Sequence, residues 1–366
     1  MAENDIYNSK SRYETNLKKI ESGAYLRPQD RTPYYIRNPE NLKYFKILVR
    51  ELEFRDMSYI RRISFLKSLK IMCYYTKKNL KNVTREDVKD VLIQIQKTHN
   101  FTSRREFISY NKTIWKIILP EKDLQGREDD LITPYAWRIK VHNDKSTQTE
   151  RKDKTTEEIC KQIIGSFDDD PRMQLYYSLL YYNLARPQEL CYIDIENAVD
   201  FGNYARITIA SHGKEGIKHL QLIENYNYFK RWMMIHPKRN DPKSPLFVNM
   251  CNNVFNGTRM NPSTTNEILR RKLKEIGFEK KLTNYSFKRN NVTHRMLRGE
   301  APQNIQKRAG WSSTDQLRIY DLSNQEDFME KELIEKGIKK NDEINSLREE
   351  LSQIKSMILE ITPRKI

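Results

Sequence analysis

The sequence predicts a mainly α-helical protein of two domains, with a small antiparallel β-sheet in the second domain. Three observations support this fold class. The chain has 366 residues, which is more than one hydrophobic core usually holds. Only 11 residues are glycine and 13 are proline, and apolar residues recur with the 3.6-residue period of a helix along most of the chain. Two short runs near the middle instead alternate between apolar and polar residues, as strands do.

The charge of the chain favours a polyanionic partner such as a nucleic acid. Lysine and arginine number 66 against 49 acidic residues, which gives a formal net charge of +17. Each phosphate that a basic side chain neutralises releases counterions, and this adds affinity. The start, MAENDIYNSK, is polar, and no apolar run approaches the roughly 18 residues of a membrane span. With four widely spaced cysteines, these features predict a cytoplasmic protein without a membrane association.

Residues 38–122 are predicted to form a small helical domain, preceded by an N-terminal extension at 1–37. Apolar stripes at helical spacing indicate four short helices with basic faces. One of them follows Thr84, where T-R-E-D is a helix-start pattern. Over 123–154 the periodicity fails and the charge density rises, which predicts a linker.

The second domain is predicted over 155–325. A helix dense in leucine and tyrosine begins near Met173 and is expected to be buried. The alternating runs at 205–209 and 218–222 flank the turn sequence S-H-G-K-E-G, so they predict a β-hairpin with Lys214 at its tip.

Residues 326–366 are predicted to form a C-terminal helix. Six isoleucine and leucine residues between Ile344 and Ile361 are spaced 3, 4, 3, 4 and 3 apart, as in a heptad seam. The segment holds 10 acidic and 8 basic residues, a net charge of −2, which leaves +19 on residues 1–325. So short a seam is marginal for an isolated coiled coil, so we expect it to be buried on a partner. A helix folded back on its own domain is the alternative.

Two segments of the second domain carry basic side chains suited to a phosphodiester. In L-A-R-P-Q-E-L, Pro187 suits the first position of a helix, so Arg186 lies beside helix N–H groups that bind phosphate well. At the hairpin tip, Lys214 is placed to donate a proton to a leaving oxygen. Taken singly, a loop-capping arginine and a solubilising surface lysine are the more ordinary interpretations.

Two later segments add aromatic and basic groups. N-Y-S-F-K-R-N-N-V-T-H begins as a polar, basic helix and includes Tyr285, Lys288 and Arg289. In A-G-W-S-S-T-D-Q-L-R-I-Y, Tyr320 follows Trp311 by nine residues. An isolated tyrosine would more ordinarily be a packing residue, since the chain has 21 of them.

Together these four segments resemble the tyrosine recombinase (phage integrase) family, especially its archaeal branch. That family carries an arginine in a GxRxxE-like turn, a hairpin lysine, an HxxR box, a GH/W box and a tyrosine nine residues later. The matching segments here, in the same order, are LARPQEL, HGKEG, YSFKR and GWSSTDQLRIY. The resemblance covers the chain from about residue 38 to 323, because the first helical domain looks like the family's SAM-like core-binding domain.

The resemblance implies a site-specific recombinase for integration or excision of a mobile element. Tyr320 would form a 3′-phosphotyrosine, Arg186 and a basic group near residue 288 would stabilise the phosphate, and Lys214 would protonate the 5′-oxygen. Trp311 would donate its indole N–H to phosphate. Neither a metal ion nor another cofactor is implied. The expected partners are double-stranded DNA and further copies of the chain, as a tetramer assembled on DNA through the C-terminal helix.

The YSFKR segment departs from the family pattern at two positions. Tyr285 stands where the family usually has histidine, and alignment on Thr293 puts Lys288 at the second-arginine position. The register therefore favours Lys288 as the residue that acts in place of the second arginine. The planar fork of a guanidinium instead favours Arg289, because it can bind two phosphate oxygens. We prefer Arg289, which requires that the helix start one residue later. The departures support one rival, a catalytically impaired member that acts as an architectural or regulatory DNA-binding protein. A topoisomerase-like nicking and closing enzyme that uses the same residues is the other.

Overall fold

The computed structural model of the protein describes residues 7–28, 32–122, 128–129, 153–209, 217–251, 254 and 256–336. The chain divides into two compact units, Met1–Thr147 and Gln148–Ile366. The described residues are mostly helical, with a three-stranded antiparallel sheet in the second unit, so the predicted fold class is confirmed. Within these ranges the structure contains no helix that is long and apolar enough to cross a membrane.

Among its described residues, the first unit has five α-helices around one apolar core. The helices are α1 (Ser9–Glu21), α2 (Leu42–Phe54), α3 (Tyr59–Thr76), α4 (Arg85–Thr98) and α5 (Phe101–Ile118). A short antiparallel pair follows, formed by β1 (Glu121–Lys122) and β2 (Glu128–Asp129). At the start of α4, the Thr84 hydroxyl accepts from the Asp87 backbone N–H and the Asp87 carboxylate accepts from that of Thr84, so the T-R-E-D pattern forms a capping box.

Helix α1 belongs to this unit, although it lies within the segment 1–37 that we expected to be an extension. Its Tyr13 and Ile20 are buried in the same core as the apolar residues of α3. The sequence of α1 is mostly polar, and a few apolar positions over 13 residues are a weak periodic signal.

The second unit contains nine helices and one sheet among its described residues. The helices are α6 (Glu157–Gly165), α7 (Pro171–Tyr182), α8 (Pro187–Cys191), α9 (Tyr226–Ile235), α10 (Pro262–Glu275), α11 (Asn284–Leu297), α12 (Pro302–Ala309), α13 (Leu317–Tyr320) and α14 (Gln325–Glu335). The strands are β3 (Ala198–Asp200), β4 (Ala205–Ile209) and β5 (Lys218–Leu222), in the order β3-β4-β5.

Strands β4 and β5 pair where the sequence predicts a hairpin. Ile207 lies opposite Leu220, and both side chains are buried. Residues 210–216 of the connection between the two strands, which include Lys214, lie outside the described residues.

Helix α7 forms the centre of the second unit. Ten of its 12 residues are buried, which confirms the expectation for this leucine- and tyrosine-rich segment. Its buried phenols are satisfied: the Tyr177 hydroxyl donates to the Thr265 carbonyl at 2.6 Å, and the Tyr176 hydroxyl donates to the Pro187 carbonyl at 3.1 Å. The helix contacts α6, α9 and α11, so its C-terminal end is a fixed platform for the turn that follows.

Helix α14 begins the segment for which we predict a C-terminal helix. The Asn324 and Asp327 side chains cap its start, and Asp327 forms an ion pair with Lys154. The heptad seam from Ile344 to Ile361 lies outside the described residues.

Candidate active site

Arg186 occupies the turn between α7 and α8. Its backbone N–H donates to Glu189 Oε2 at 2.8 Å, and its guanidinium Nη1 donates to Glu189 Oε1 at 2.7 Å. Pro187 begins α8, where it displaces no helical hydrogen bond. Because one carboxylate holds both the main chain and the side chain of Arg186, Glu189 sets the direction of the guanidinium.

Leu184 brings the chain into this turn with an unusual backbone conformation. Its φ is 52°, in the left-handed region, which costs about 1–2 kcal/mol for a residue with a side chain. It stands where the GxRxxE pattern has glycine. The Leu184 side chain is fully buried in a cluster with Val292, Ile305 and Trp311, so its packing offsets the backbone strain.

Helix α11 carries Lys288 into the interior of the unit. The Lys288 side chain is fully buried, and its Nζ lies 5.3 Å from the ring centroid of Trp311 and 5.3 Å from that of Tyr320. Lysine is almost never fully buried without a compensating partner, so this position marks a special environment.

Arg289 lies in a different environment from Lys288. Its Nη1 donates to Asp153 Oδ2 at 2.9 Å, and 37% of its side chain is exposed. Helix α11 begins at Asn284, after a capping box between Thr283 and Ser286. The helix therefore does not start later, as it would have to for Arg289 to take the position of Lys288. Successive helical residues differ by about 100°, and the geometry therefore favours Lys288 over the Arg289 that we prefer from the sequence.

The segment after α12 fixes Trp311. Gly310 has a φ of 70°, the Gly310 N–H donates to the Lys307 carbonyl, and the Trp311 N–H donates to the Gln306 carbonyl, which together form a Schellman motif. The Trp311 side chain is only 5% exposed. Its Nε1–H is buried and has no hydrogen-bond partner among the described residues. A buried donor of this kind costs about 1–3 kcal/mol, which favours a functional reason for keeping it.

Tyr320 is the last residue of α13 and lies beside Trp311. The two ring centroids are 5.0 Å apart, at an interplanar angle of 32°. Two residues later, the Leu322 backbone N–H donates to Thr293 Oγ1 on α11 at 2.7 Å. Tyr320 is half-buried, so its ring is packed while part of the residue is accessible.

The ionisable groups interact with one another. Burial raises the pKa of Tyr285, the nearby Tyr320 raises it further, and Arg186 and Arg289 oppose this shift. Burial also acts to raise the pKa of Glu189, but the positive charges of Lys218 and Lys288 and the hydrogen bonds from Arg186 lower it overall. Tyr285 is therefore a neutral hydrogen-bonding group, and Glu189 is an anion that holds Arg186.

His294 has a structural role in this region. Its Nε2 contacts the Thr155 carbonyl at 2.9 Å, and its Nδ1 contacts the Tyr181 hydroxyl at 2.9 Å. Because a carbonyl only accepts, Nε2 carries the proton and Nδ1 accepts from the phenol. Burial lowers the pKa of His294, which is consistent with a neutral ring that fastens the start of α6 to α11.

Five of the seven predicted site residues thus lie in one neighbourhood. Contacts and charge interactions link them as a single set: Arg186, Tyr285, Lys288, Trp311 and Tyr320. Arg289 lies at the edge of this neighbourhood on Asp153, and Lys214 lies outside the described residues.

Two neighbours of the site are missing from the sequence-based set. Lys218 is in phase with the buried Leu220 and Leu222 along β5, so the alternation of that strand is a signal that its side chain points inward. Asp153 gives no comparable signal, because it belongs to the charged stretch that we predict as a linker.

The fold is similar to those of solved recombinase structures. A XerH site-specific recombinase bound to a palindromic difH substrate is 14% identical and matches 91% of this chain and 97% of its own, with a TM-score of 0.60. A Tn1549 transposon integrase in complex with transposon right end DNA is 13% identical, with 79% and 98% covered and a TM-score of 0.61. A lambda integrase tetramer bound to a Holliday junction is 11% identical, with 76% of each chain covered and a TM-score of 0.60.

Identities this low show a common fold alone. A comparison with curated proteins finds no match. The model of the phage integrase family matches residues 153–327, which include α6 to α13 and every candidate site residue named above. Residues 153–327 are therefore a phage integrase family domain, and the fold of the chain is that of tyrosine recombinase structures.

Proposed function

We propose that the protein cuts and rejoins double-stranded DNA at specific sites, with Tyr320 as the nucleophile that forms a 3′-phosphotyrosine. The observation that carries this proposal is the position of Tyr320, which lies 5.0 Å from the Trp311 ring and 5.3 Å from the Lys288 ammonium. A half-buried phenol beside a buried cation and a buried N–H donor suits attack on an anionic phosphodiester.

Three groups stabilise the phosphate as charge builds on its non-bridging oxygens. Arg186 presents a guanidinium that Glu189 holds in a fixed direction. Lys288 supplies a positive charge from a site without solvent exposure, where it is weakly screened. The indole N–H of Trp311 has no competing partner among the described residues, so an incoming phosphate oxygen satisfies it.

The covalent step is a displacement at phosphorus. The Tyr320 oxygen forms the new bond to phosphorus as the bond to the 5′-oxygen breaks. Lys214 donates a proton to that 5′-oxygen, and water at the accessible side of Tyr320 takes up the proton that its hydroxyl loses. Tyr285, whose raised pKa keeps it protonated, donates a hydrogen bond and is not a base. The phosphotyrosine retains the bond energy, so the reverse attack by a 5′-hydroxyl rejoins the strand.

The partner follows from charge and from the related structures. The net charge of +17 favours a polyanion, and the XerH and Tn1549 proteins were both solved in complex with DNA. We further propose that the reaction integrates or excises a mobile element, in line with the likeness to a transposon integrase.

Assembly on DNA is part of the same proposal. We expect residues 326–366 to join copies of the chain into a tetramer, as the heptad spacing suggests. Within this segment, α14 exposes Phe328, Met329 and Leu333, which are apolar groups that a partner surface would cover. The lambda integrase structure is of a tetramer, which supports this state for the present chain.

A covalent-trapping experiment tests the proposal. The full-length protein is incubated with a nicked duplex substrate whose short 5′ product diffuses away, and the DNA-linked peptide is then mapped. The expected result is an adduct on Tyr320 that the Tyr320→Phe variant does not form, while Tyr204→Phe, a matched change elsewhere on the unit, still forms it.

The same experiment separates the rival functions. Specific DNA binding without any adduct would identify an architectural or regulatory protein. Relaxation of supercoiled plasmid without a specific site would identify a topoisomerase-like enzyme.

A further inference from the structure

Lys218 is a second buried lysine near the site, and the mechanism above does not use it. It is the first residue of β5, in which residues 218, 220 and 222 are buried and the two between them are exposed. Only 9% of Lys218 is exposed. An ammonium in such a position is stable only when polar groups replace its water, so its partners indicate its role.

Two main-chain carbonyls accept hydrogen bonds from the Lys218 ammonium. Nζ donates to the Leu184 carbonyl at 3.2 Å and to the Ala309 carbonyl at 3.1 Å. Leu184 precedes Arg186 by two residues, and Ala309 precedes Trp311 by two residues. One side chain on the sheet therefore joins the two segments that present the proposed phosphate ligands.

Each of these carbonyls is at a position that needs a donor. Ala309 is the last residue of α12, where carbonyls have no partner within the helix and a cation is favoured by the helix dipole. Leu184 is in the left-handed region, so its carbonyl has left the hydrogen-bonding direction of α7. The ammonium stabilises both chain ends and fixes their separation.

The charge of Lys218 also acts on Glu189. It is the first of the positive charges that lower the pKa of this carboxyl, followed by Lys288. Lys218 thus supports Arg186 in two ways, through the main chain at Leu184 and through the anion that directs the guanidinium.

We propose that Lys218 is a positioning residue that holds Arg186 and Trp311 at the separation required by one phosphate. This inference rests on the proposed recombinase function. It assigns Lys218 a role different from that of Lys214, which contacts the leaving oxygen in the proposed mechanism. Because carbonyls hold its ammonium inside the unit, Lys218 acts on the reaction only through the two ligands that it places.

The test compares two substrates and two variants of the full-length protein. Lys218→Met keeps the length of the side chain and removes its charge, and Lys214→Met is the matched control. Single-turnover cleavage of the nicked duplex is measured with an ordinary 5′-oxygen and with a 5′-sulfur at the scissile phosphate. A thiolate leaves without a proton, so the sulfur substrate no longer needs a general acid.

The expected result is a loss of roughly 10- to 100-fold for Lys218→Met on both substrates, because misplaced ligands weaken attack whatever the leaving group. Lys214→Met is expected to lose activity on the oxygen substrate and to recover it on the sulfur substrate. If Lys218→Met fails to fold, Lys218→Gln, whose amide donates to one carbonyl, replaces it in the same comparison.

Two outcomes overturn the inference. Recovery of Lys218→Met on the sulfur substrate would make Lys218 the proton donor, and unchanged cleavage on both substrates would remove any positioning role. Failure of the proposed function gives a distinct result, since the unmodified protein would then form no adduct with either substrate.

Discussion

The Lys288 ammonium lies 5.3 Å from the ring centroid of Tyr320, whereas the guanidinium of the adjacent Arg289 is paired with Asp153. One helical step therefore separates a buried cation at the proposed nucleophile from a half-exposed cation at the edge of the site. Variants of the two residues can therefore show which of them, Lys288 or Arg289, stabilises the phosphate.

Lys288→Ala is expected to reduce single-turnover cleavage by about 10²- to 10³-fold, the usual effect of removing one charge-stabilising donor. Arg289→Ala is expected to have a much smaller effect on cleavage, and loss of its partly exposed pair with Asp153 is expected to lower the free energy of unfolding by about 1 kcal/mol. Equal losses of cleavage for the two variants would contradict this assignment.

Lys288→Arg is expected to slow cleavage, although it restores the residue type that the family pattern has at this position. The lysine side chain is fully buried, and a larger guanidinium would overpack the site at a cost of about 1–3 kcal/mol. Thermal unfolding and cleavage are measured on the same preparation. A faster and equally stable variant would show that the site has room for the guanidinium.

Trp311→Phe is expected to lower the cleavage activity without lowering the stability of the protein. The change removes a buried N–H without a partner among the described residues and keeps a ring beside Tyr320. We expect a roughly 10- to 100-fold slower cleavage with an unchanged or higher melting temperature. Trp232→Phe is the matched control, because its N–H donates to the Leu246 carbonyl at 2.8 Å, and that variant is expected to lose stability. A large drop in melting temperature for Trp311→Phe would indicate a structural N–H instead.

At position 184 we expect the glycine variant to be more stable than the alanine variant, which is the reverse of the usual order. Both substitutions lose a buried side chain at about 2–5 kcal/mol, but only glycine also relieves the left-handed backbone. Leu184→Gly is therefore expected to be more stable than Leu184→Ala by about 1 kcal/mol in urea unfolding. At the fully buried Leu180 in α7, glycine is expected to be the less stable by a similar amount. The same order at both positions would mean that the strain at Leu184 is negligible.

Glu189→Gln is expected to change how stability depends on pH. The pKa of Glu189 is lowered in the folded protein, so its contribution to stability is present above the ordinary value of 4.5 and is lost as the pH falls through the folded value. The stability difference between the original protein and the variant is therefore expected to be largest near pH 7 and to shrink below pH 4.5. A difference that stays constant over this range would rule out an ionised Glu189.

Sequence patterns predict those parts of the fold that depend on periodicity and on local motifs. The buried α7, the β4-β5 hairpin and the Thr84 cap follow from apolar spacing, alternation and capping chemistry. The resemblance to the tyrosine recombinase family implies one site for Trp311 and Tyr320, and their ring centroids lie 5.0 Å apart.

The remaining features depend on tertiary contacts. The choice between Lys288 and Arg289 depends on where α11 begins, and this is set by a cap at Thr283. Lys218 acquires its role from carbonyls that are 34 and 91 residues away in the sequence, which no local pattern records. Helix α1 joins the core although its own composition is mostly polar.

The hydrogen bond from the Leu322 N–H to Thr293 has a consequence for the joining step. Leu322 follows Tyr320 by two positions, a length of chain that spans about 7 Å at most. A DNA end esterified to Tyr320 would thus be tethered within a small volume around α11. Its effective concentration towards the attacking 5′-hydroxyl would be that of an intramolecular reactant, so ligation would not depend on capturing a strand end from solution.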